Sequence, residues 1–390
     1  MKLYLNDLGL LCATGSSKSD LLKRLLMGDR SGLVLSDTFG PTTIVGQITS
    51  ELPLIDTQYS LYQCRNNQLL LAALSQIKAT VDKMTAKFGI DRIGIVLGTS
   101  TSGVRNTEHA LDYLSKHGKL PEQFHYKQQQ MGAGADFLSA YLGLTGPAYT
   151  ISTACSSSGK AFASARRLIE LNLCDAVIVG GADSLCSLTI NGFSALESLS
   201  TGYCKPFGLH RNGINIGEAA SLFVLSIDPG PVQLLGIGSS SDAYHFSAPD
   251  PSGNSVVKAM QQALTDASKK AHEVDYLNLH GTATLLNDAM ESKAVNQLFS
   301  DKVAASSSKG MTGHTLGAAA ALELGFCWML LTENPHNTLI PNINDDEADN
   351  SLAPLNLVKM GQNLGRSINV CQSNSFAFGG NNLSIVIART

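Results

Sequence analysis

The sequence has no excess of basic residues. Its 28 lysines and arginines are outnumbered by 32 aspartates and glutamates, so the 390-residue chain has a formal net charge of −4 at pH 7. Such a chain has no positive field that would recruit nucleic acid or an anionic membrane surface. We therefore expect partners to be recognised through local patches of charge.

Cysteine pairs at metal-binding or redox spacing are also missing. Eight cysteines occur, but none forms a CxxC pair and their spacing is irregular. This pattern argues against a disulfide framework or a zinc site and favours a reducing compartment, for which the cytoplasm is the default. The first residues, MKLYLNDLGLLCATG, include Asp7 and resemble a β-strand more than a signal peptide.

No apolar run reaches the length of a membrane span. The longest candidate, TLGAAAALELGFCWMLL at 315–331, falls short of the roughly 20 apolar residues that a span requires, and it contains Glu323. A membrane segment is the alternative, but the small residues favour a helix buried on all sides in a large core. Glu323 is then a buried acid that needs a partner.

The chain alternates α and β patterns and repeats itself weakly. One apolar strand ends in GTST at 98–101 and another ends in GTAT at 281–284. Each is followed by a serine-rich turn that leads into an alanine-rich helix, which indicates an internal duplication. The turn-prone sequence DPGP at 228–231 marks a boundary. We predict two α/β halves, residues 1–228 and 229–390.

Cys155 lies at a predicted strand-to-helix turn. The pattern predicts a helix from about Ser156 to Leu171, followed by a strand over Ala176 to Gly180. Unpaired backbone N–H groups and the helix dipole at such a turn are expected to lower the thiol pKa and favour the nucleophilic thiolate. A small buried structural cysteine is the alternative.

Two histidines and a lysine occupy comparable turns in the second half. His280 follows a strand, at the end where α/β folds gather ligands, and His314 follows the turn that contains Lys309. Each histidine taken alone is more often structural than catalytic. Together with Cys155 they predict one pseudo-symmetric centre, in which a thiolate takes an acyl group and two imidazoles donate hydrogen bonds to an oxyanion.

Four motifs in order, TACSSS, HGTAT, SSSKGMTGHTLGAAAALE and NSFAFGGNN, resemble those of the β-ketoacyl-acyl-carrier-protein synthases, condensing enzymes of the thiolase fold. The resemblance covers nearly the whole chain. It implies a layered α-β-α-β-α architecture built from two duplicated α/β halves. It also implies decarboxylative condensation of malonyl-carrier protein with an acyl group on Cys155. Neither a cofactor nor a metal ion is expected, because substrates arrive on the phosphopantetheine of acyl carrier protein.

The resemblance also implies roles for individual residues. Cys155 matches the acylated nucleophile, and its backbone N–H and that of Phe378 match the oxyanion hole. His280 and His314 match the pair that binds the malonyl thioester carbonyl, and Lys309 matches the lysine that supports the second histidine. Further matches are the aromatic residues Phe376 and Phe378 near the substrate and the surrounding carboxylates Asp288, Glu291 and Glu323.

Thr282 and Thr284 follow His280 in the same turn. Their hydroxyl groups are of the right type to bind the malonyl carboxylate or the pantetheine amides. The alternative is that they satisfy their own backbone, as turn threonines commonly do.

Some positions depart from the family pattern. Many members carry PFDxxRDG and GGTN, where this chain has KPFGLHRNG at 205–213 and GGNN at 379–382. These departures, with a short segment between Leu196 and Pro206, weaken an assignment to ordinary fatty-acid synthesis. The chain resembles stand-alone synthases of polyene-type secondary metabolism. A coenzyme-A-using enzyme of the same fold would carry Cys-His-Asn, and a non-catalytic subunit of a heterodimeric pair would lack the nucleophile.

The resemblance implies a dimer, either of two identical chains or with a related ketosynthase-like chain. We predict pairing through the strand Ala176 to Gly180, because its apolar sequence would be a costly exposed edge in a monomer. Acyl carrier protein is the other expected partner. Candidate docking residues are Arg65, Lys127 and Lys205.

Overall fold

In the part of the chain that the structure describes, strands from the N-terminal and C-terminal parts join one sheet of 11 strands, and a separate sheet has three. The computed structural model describes residues 1–344, 347 and 349–390. In chain order its strands are β1 (Leu3–Cys12), β2 (Leu33–Ser36), β3 (Thr43–Gly46), β4 (Ile93–Gly98), β5 (Ala148–Ile151), β6 (Ala176–Asp183), β7 (Ile216–Gly217), β8 (Ala219–Ser226), β9 (Val232–Ser241), β10 (Tyr276–Asn278), β11 (Ala304–Ser306), β12 (Asn356–Leu357), β13 (Val370–Ala377) and β14 (Asn381–Arg389).

The helices alternate with these strands along the chain. They are α1 (Lys18–Leu26), α2 (Arg65–Phe88), α3 (Val104–His117), α4 (Ala133–Leu142), α5 (Ser157–Glu170), α6 (Ser187–Ala195), α7 (Asn254–Asp266), α8 (Leu285–Phe299), α9 (Lys309–Thr312) and α10 (Ala319–Thr332). Short 3-10 turns lie between them, including one at Leu316–Ala318 that leads directly into α10.

The strand order of the large sheet repeats across its middle. From one edge it runs β5-β4-β6-β8-β1, and it continues as β9-β14-β13-β10-β11, with β12 at the far edge. The pairings match, since β4 and β10 each have two parallel neighbours and the strands nearer the middle pair antiparallel. The two series meet where β1 pairs with β9, from Leu3 opposite Leu234 to Leu5 opposite Val232. This symmetry confirms the predicted duplication and the layered α/β architecture, whereas the division at 228/229 into separate halves stays a prediction.

Helices cover both faces of the sheet. α2 packs on β1, β8 and β6, and its symmetry counterpart α7 packs on β9 and β14. On the other face, α5 contacts β4 and β6, α10 contacts β13, and the two helices contact each other. The carboxyl ends of β4, β5, β10 and β11 therefore open towards the same region, where α5 and α10 begin.

The predicted buried helix is confirmed in α10, whose residues are buried from Ala319 through Leu331. A helix of this length that is apolar apart from Glu323 and its last residue, Thr332, fits a helix buried on all sides. In the described part of the chain, no helix is both long and apolar enough to cross a membrane.

The prediction that the strand at Ala176 to Gly180 is an edge is wrong. β6 lies inside the sheet, with β4 on one side and β8 on the other, and every residue of it is buried. Its continuous apolar sequence reflects burial on both faces, as in internal parallel strands. The edge of this half is β5, whose residues are all half-buried.

Candidate active site

Cys155 lies in the turn between β5 and α5, as the sequence predicts. The preceding residue, Ala154, has φ 51°, a left-handed conformation that costs a non-glycine residue roughly 1 kcal/mol or more. The turn packs closely against β4, since a Cβ on Gly98 would lie 2.1 Å from the backbone nitrogen of Ser158. Strain of this kind is found where a function requires a particular geometry. Here the turn presents Cys155 at the start of α5.

Burial outweighs the helix dipole in setting the acidity of Cys155. Desolvation raises the pKa of the thiol to about 11, although the charge of Lys309 and the backbone N–H groups of Phe378 and Cys155 act to lower it. The predicted lowering of this pKa is therefore wrong. The backbone N–H groups of Cys155 and Phe378 that contact the sulfur are also those of the predicted oxyanion hole.

His314 faces the nucleophile. Its Nε2 lies 3.0 Å from the Cys155 Sγ, and its Nδ1 accepts a hydrogen bond of 3.2 Å from the backbone N–H of Leu316. Burial, and next the positive charge of Lys309, lower the imidazole pKa well below its usual value. The ring is therefore neutral, and because Nδ1 is an acceptor, Nε2 carries the proton. His314 presents a neutral N–H donor to the sulfur.

His280 is held in the same state by a different group. The Lys309 ammonium lies 3.5 Å from its Nδ1 and donates to its carbonyl oxygen at 2.5 Å. An ammonium only donates, so Nδ1 is again the acceptor and Nε2 carries the proton. Burial and then the charge of Lys309 lower the pKa of His280 well below its usual value. Lys309 thus supports the first histidine in the chain, and not the second as the resemblance implied.

The partner that Glu323 needs is Lys309. Their side chains are 1% and 2% exposed, and the Lys309 Nζ lies 2.5 Å from the Glu323 Oε1. Burial raises the pKa of Glu323, while the charge and hydrogen bond of Lys309 lower it. The pair places a fixed positive charge beside both imidazoles without leaving it uncompensated.

Asp288 and Glu291 hold the turn that carries His280. Glu291 accepts from the backbone N–H groups of His280 and Gly281, at 2.7 Å each, and Asp288 accepts from that of Ala283 at 3.2 Å. Burial raises the pKa of Asp288 to about 6 and that of Glu291 to about 7. Both carboxylates also accept from the Asn287 side-chain amide, and their role in the outer shell of the site stays a prediction.

A cavity of about 350 Å³ opens onto the three reactive side chains. The two imidazole centroids lie 5.5 Å apart at 85°, and one ligand atom from each histidine and the Cys155 Sγ lie within 4.8 Å of one another. The predicted substrate residues all line this cavity: Thr282, Thr284, Phe376 and Phe378. The hydroxyl groups of the two threonines are hydrogen-bonded to each other at 2.9 Å.

Asp183 was missed by sequence reasoning. It ends β6, is fully buried, and receives hydrogen bonds from the GTST turn and from the backbone N–H of Gly317. The available signal was an acid at the end of an apolar strand, GGAD, which needs partners when buried.

Arg65 is not a free docking residue. Its guanidinium makes a two-point ion pair with the buried Glu218, at 2.5 Å and 2.8 Å. The side chain is 22% exposed, and its role in carrier docking stays a prediction. Lys127 lies 3.1 Å from the Tyr62 hydroxyl, and the docking roles of Lys127 and Lys205 stay predictions.

The duplicated α/β sheet and the buried cysteine with two neutral histidines define a condensing enzyme of the thiolase fold. Family comparison agrees, because the N-terminal domain of beta-ketoacyl synthase matches residues 62–228 and the C-terminal domain matches residues 232–345. The chain therefore belongs to the β-ketoacyl synthase family, whose members are acyltransferases that form carbon–carbon bonds.

Individual relatives cover the whole chain. Nodulation protein E of Rhizobium meliloti is 31% identical over 98% of this chain and 97% of its own length. The 3-oxoacyl-[acyl-carrier-protein] synthase 2 of Coxiella burnetii is 30% identical over 100% and 98%. Among solved structures, the ketosynthase ApeO in complex with its chain length factor ApeC, from Xenorhabdus doucetiae, is 44% identical and aligns with a TM-score of 0.95 over 100% of this chain and 98% of that one.

Proposed function

We propose that this β-ketoacyl synthase extends an acyl group held on Cys155 with a malonyl unit, and that both substrates arrive on the phosphopantetheine of acyl carrier protein. The observation that carries the proposal is the convergence of a thiol and two imidazoles within 4.8 Å at a cavity. Both imidazoles are held with the proton on Nε2, towards the cavity. No further cofactor takes part.

In the first half-reaction, the Cys155 sulfur attacks the thioester of the incoming acyl carrier. The acyl–sulfur bond to the carrier breaks, a new one forms to Cys155, and the thiol proton passes to the departing carrier thiol. The N–H groups of Cys155 and Phe378 stabilise the oxyanion, as preorganised donors do in acyl transfer. Phe376 and Phe378 line the cavity, and we expect them to contact the acyl group.

In the second half-reaction, the malonyl thioester carbonyl accepts hydrogen bonds from Nε2–H of His280 and His314. Loss of CO₂ leaves its electron pair on the enolate, which the two neutral donors stabilise. The enolate carbon attacks the acyl group, and the Cys155 sulfur leaves and regains a proton from solvent. Thr282 and Thr284 bind the malonyl carboxylate or the pantetheine amides before CO₂ is lost.

Intact-mass analysis with acyl carriers tests this proposal. We expect one acyl adduct on the wild-type protein, none on Cys155→Ala, and one on Cys204→Ala, a matched control because Cys204 is also fully buried near Lys309. An adduct that persists in Cys155→Ala would contradict the nucleophile assignment. Acylation by acyl-coenzyme A but not by acyl carrier would favour the coenzyme-A-using alternative.

We also propose that the chain functions as the ketosynthase member of a pair with a related chain. The supporting features are the free edge of β5 and the apolar residues that α3 exposes, Leu111, Tyr113 and Leu114, at 56%, 36% and 36%. The similar ketosynthase from Xenorhabdus doucetiae forms a complex with a chain length factor. A polyene product stays a prediction from the resemblance.

Thr150 offers a test of the edge. The carbonyls of Pro147 and Ile151 face β4, so by alternation the N–H of Thr150 faces outwards. Thr150→Pro removes the outward N–H donor and leaves the pairing with β4 intact. Thr150→Val keeps both the donor and the pairing. Light scattering of chain expressed with its candidate partner should show a dimer for the wild type and Thr150→Val, and loss of dimer for Thr150→Pro. A fully active monomer would contradict the proposal. A dimer of identical chains would show that the chain pairs with itself and not with a related chain.

A further inference from the structure

A single buried carboxylate links the nucleophile turn to the His314 turn. Asp183 is 0% exposed, and its two oxygens share the N–H of Ser100 but otherwise have different partners. Oδ1 accepts from the hydroxyl groups of Thr99 and Thr101, at 2.6 and 2.8 Å, and from the backbone N–H groups of Ser100 and Thr101, at 2.8 Å each. Oδ2 accepts from Gly317 N–H at 2.5 Å and from Ser100 N–H at 3.1 Å.

The contacts of Asp183 with Ser100 and Gly317 connect it to the turns that carry Cys155 and His314. The Ser100 hydroxyl donates to the carbonyl oxygen of Ala154, the left-handed residue before Cys155, at 3.4 Å. On the other side, Gly317 follows Leu316, which is also left-handed with φ 52° and whose N–H fixes the tautomer of His314.

The packing at Gly317 shows that this contact is built into the fold. A Cβ at Gly317 would lie 2.7 Å from the Asp183 Oδ2 and 2.8 Å from the backbone nitrogen of Ser100. Only glycine allows the backbone to approach the carboxylate this closely. Loss of the Asp183 bond would therefore remove a charged acceptor from a strained turn, while the backbone bonds of His314 to Asn215 and Gly217 remain.

We propose that Asp183 is a positioning residue for the condensation, because its carboxylate holds Gly317 and Leu316 so that His314 keeps its proton on Nε2, towards Cys155. This inference rests on the proposed role of His314 as a donor to the malonyl carbonyl. Asp183 touches no substrate and acts through the His314 turn.

Asp183→Asn separates the two sides of the carboxylate. The amide oxygen takes the place of Oδ1, where four donors converge, so the amide NH₂ faces the N–H of Gly317 and two donors meet. We expect the His314 turn to be released while the GTST turn is kept. Malonyl-carrier decarboxylation should fall by about tenfold, less than the roughly hundredfold that complete loss of one donor gives, because part of the His314 population keeps its donor. Cys155 acylation should change by less than about threefold.

The tautomer of His314 is a readout that a merely structural role would not move. In protein labelled with ¹⁵N-histidine, the wild type should show His314 as a single Nε2–H tautomer, and Asp183→Asn should show a mixture. Thr101→Val is the matched control, because it removes one bond to Oδ1 and leaves the bond to Gly317. It should keep the single tautomer.

Gly317→Ala is the second variant, since it displaces Gly317 from the carboxylate without changing any charge, and it serves if Asp183→Asn does not fold. The same loss of decarboxylation and the same mixed tautomer support the proposal. An unchanged His314 tautomer in a folded variant would overturn the proposal, whether or not the two half-reactions fall equally. If His314→Ala keeps full decarboxylation while Asp183→Asn still mixes the tautomers, the proposed role of His314 fails and the coupling through Asp183 stands.

Discussion

Replacing Lys309 by methionine should lower the free energy of unfolding and, for a separate reason, slow the decarboxylation of malonyl carrier. The substitution leaves Glu323 buried without its partner, and both side chains of the pair are at most 2% exposed. Removing one member of a buried ion pair costs about 3–5 kcal/mol. Domains are stabilised by only about 5–15 kcal/mol in total. We therefore expect a large but measurable fall in the free energy of unfolding of Lys309→Met.

The double variant Lys309→Met/Glu323→Gln isolates the second effect. It removes the unpaired charge, so most of the lost stability should return. Decarboxylation of malonyl carrier should not return, because the donor that keeps the His280 Nδ1 an acceptor is still missing. A loss of about tenfold is expected in both variants, less than the roughly hundredfold for removal of a donor, because His280 is still present but no longer held as the Nε2–H tautomer.

The pH dependence of the single variant gives a further check. Burial raises the pKa of Glu323, and Lys309 opposes that rise. Without Lys309 the folded-state pKa rises further above the unfolded value, so the carboxyl is tolerated when protonated and destabilising when ionised. The stability gap between wild type and Lys309→Met should therefore shrink as pH falls. Chemical denaturation at pH 5 and pH 8 measures it, and equal gaps at both pH values, or equal deficits in single and double variants, would refute the reasoning.

Three further outcomes follow from the site. Cys155→Ala should abolish β-ketoacyl product but retain malonyl decarboxylation, as measured by product mass and CO₂ release, and product formed by the alanine variant would disprove the nucleophile. His280→Ala and His314→Ala should lose decarboxylation by about a hundredfold and keep acylation of Cys155, and the reverse pattern would exchange their roles. Burial raises the pKa of Glu291 from 4.5 to about 7, so its contribution to stability is present at low pH and is lost, by up to about 3 kcal/mol, as pH rises through that range. Denaturation of Glu291→Gln should show a smaller loss of stability between pH 5 and 8 than the wild type, and an equal loss would show that another group titrates there.

The candidate catalytic residues were accessible from the sequence because each follows a recognisable strand-to-turn pattern. Cys155, His280 and His314 lie at the ends of strands or the starts of helices, and the internal repeat places these turns together. Which histidine Lys309 supports was not accessible in the same way. A lysine five residues before His314 is the natural candidate to support that histidine, yet α9 turns its side chain towards His280.

Two other errors have physical causes that composition does not reveal. An apolar strand such as β6 is buried on both faces whether it lies at an edge or inside a sheet, so its sequence does not report its neighbours. The acidity of Cys155 depends on the balance between a helix dipole and desolvation, and the extent of burial is set by the whole fold. Asp183 was missed because its hydrogen-bond donors lie in turns that are remote from it in sequence.

The tautomers of the two histidines determine what the site can bind. A cysteine and two histidines with ligand atoms within 4.8 Å have the composition of a zinc site. A metal ion, however, would need the lone pair on each Nε2, and the Leu316 N–H and the Lys309 ammonium keep that position protonated. Zinc could coordinate only if both rings moved their protons to Nδ1, where each would face another donor. The same hydrogen bonds that prepare the imidazoles for an enolate therefore disfavour joint coordination of a zinc ion by Cys155, His280 and His314.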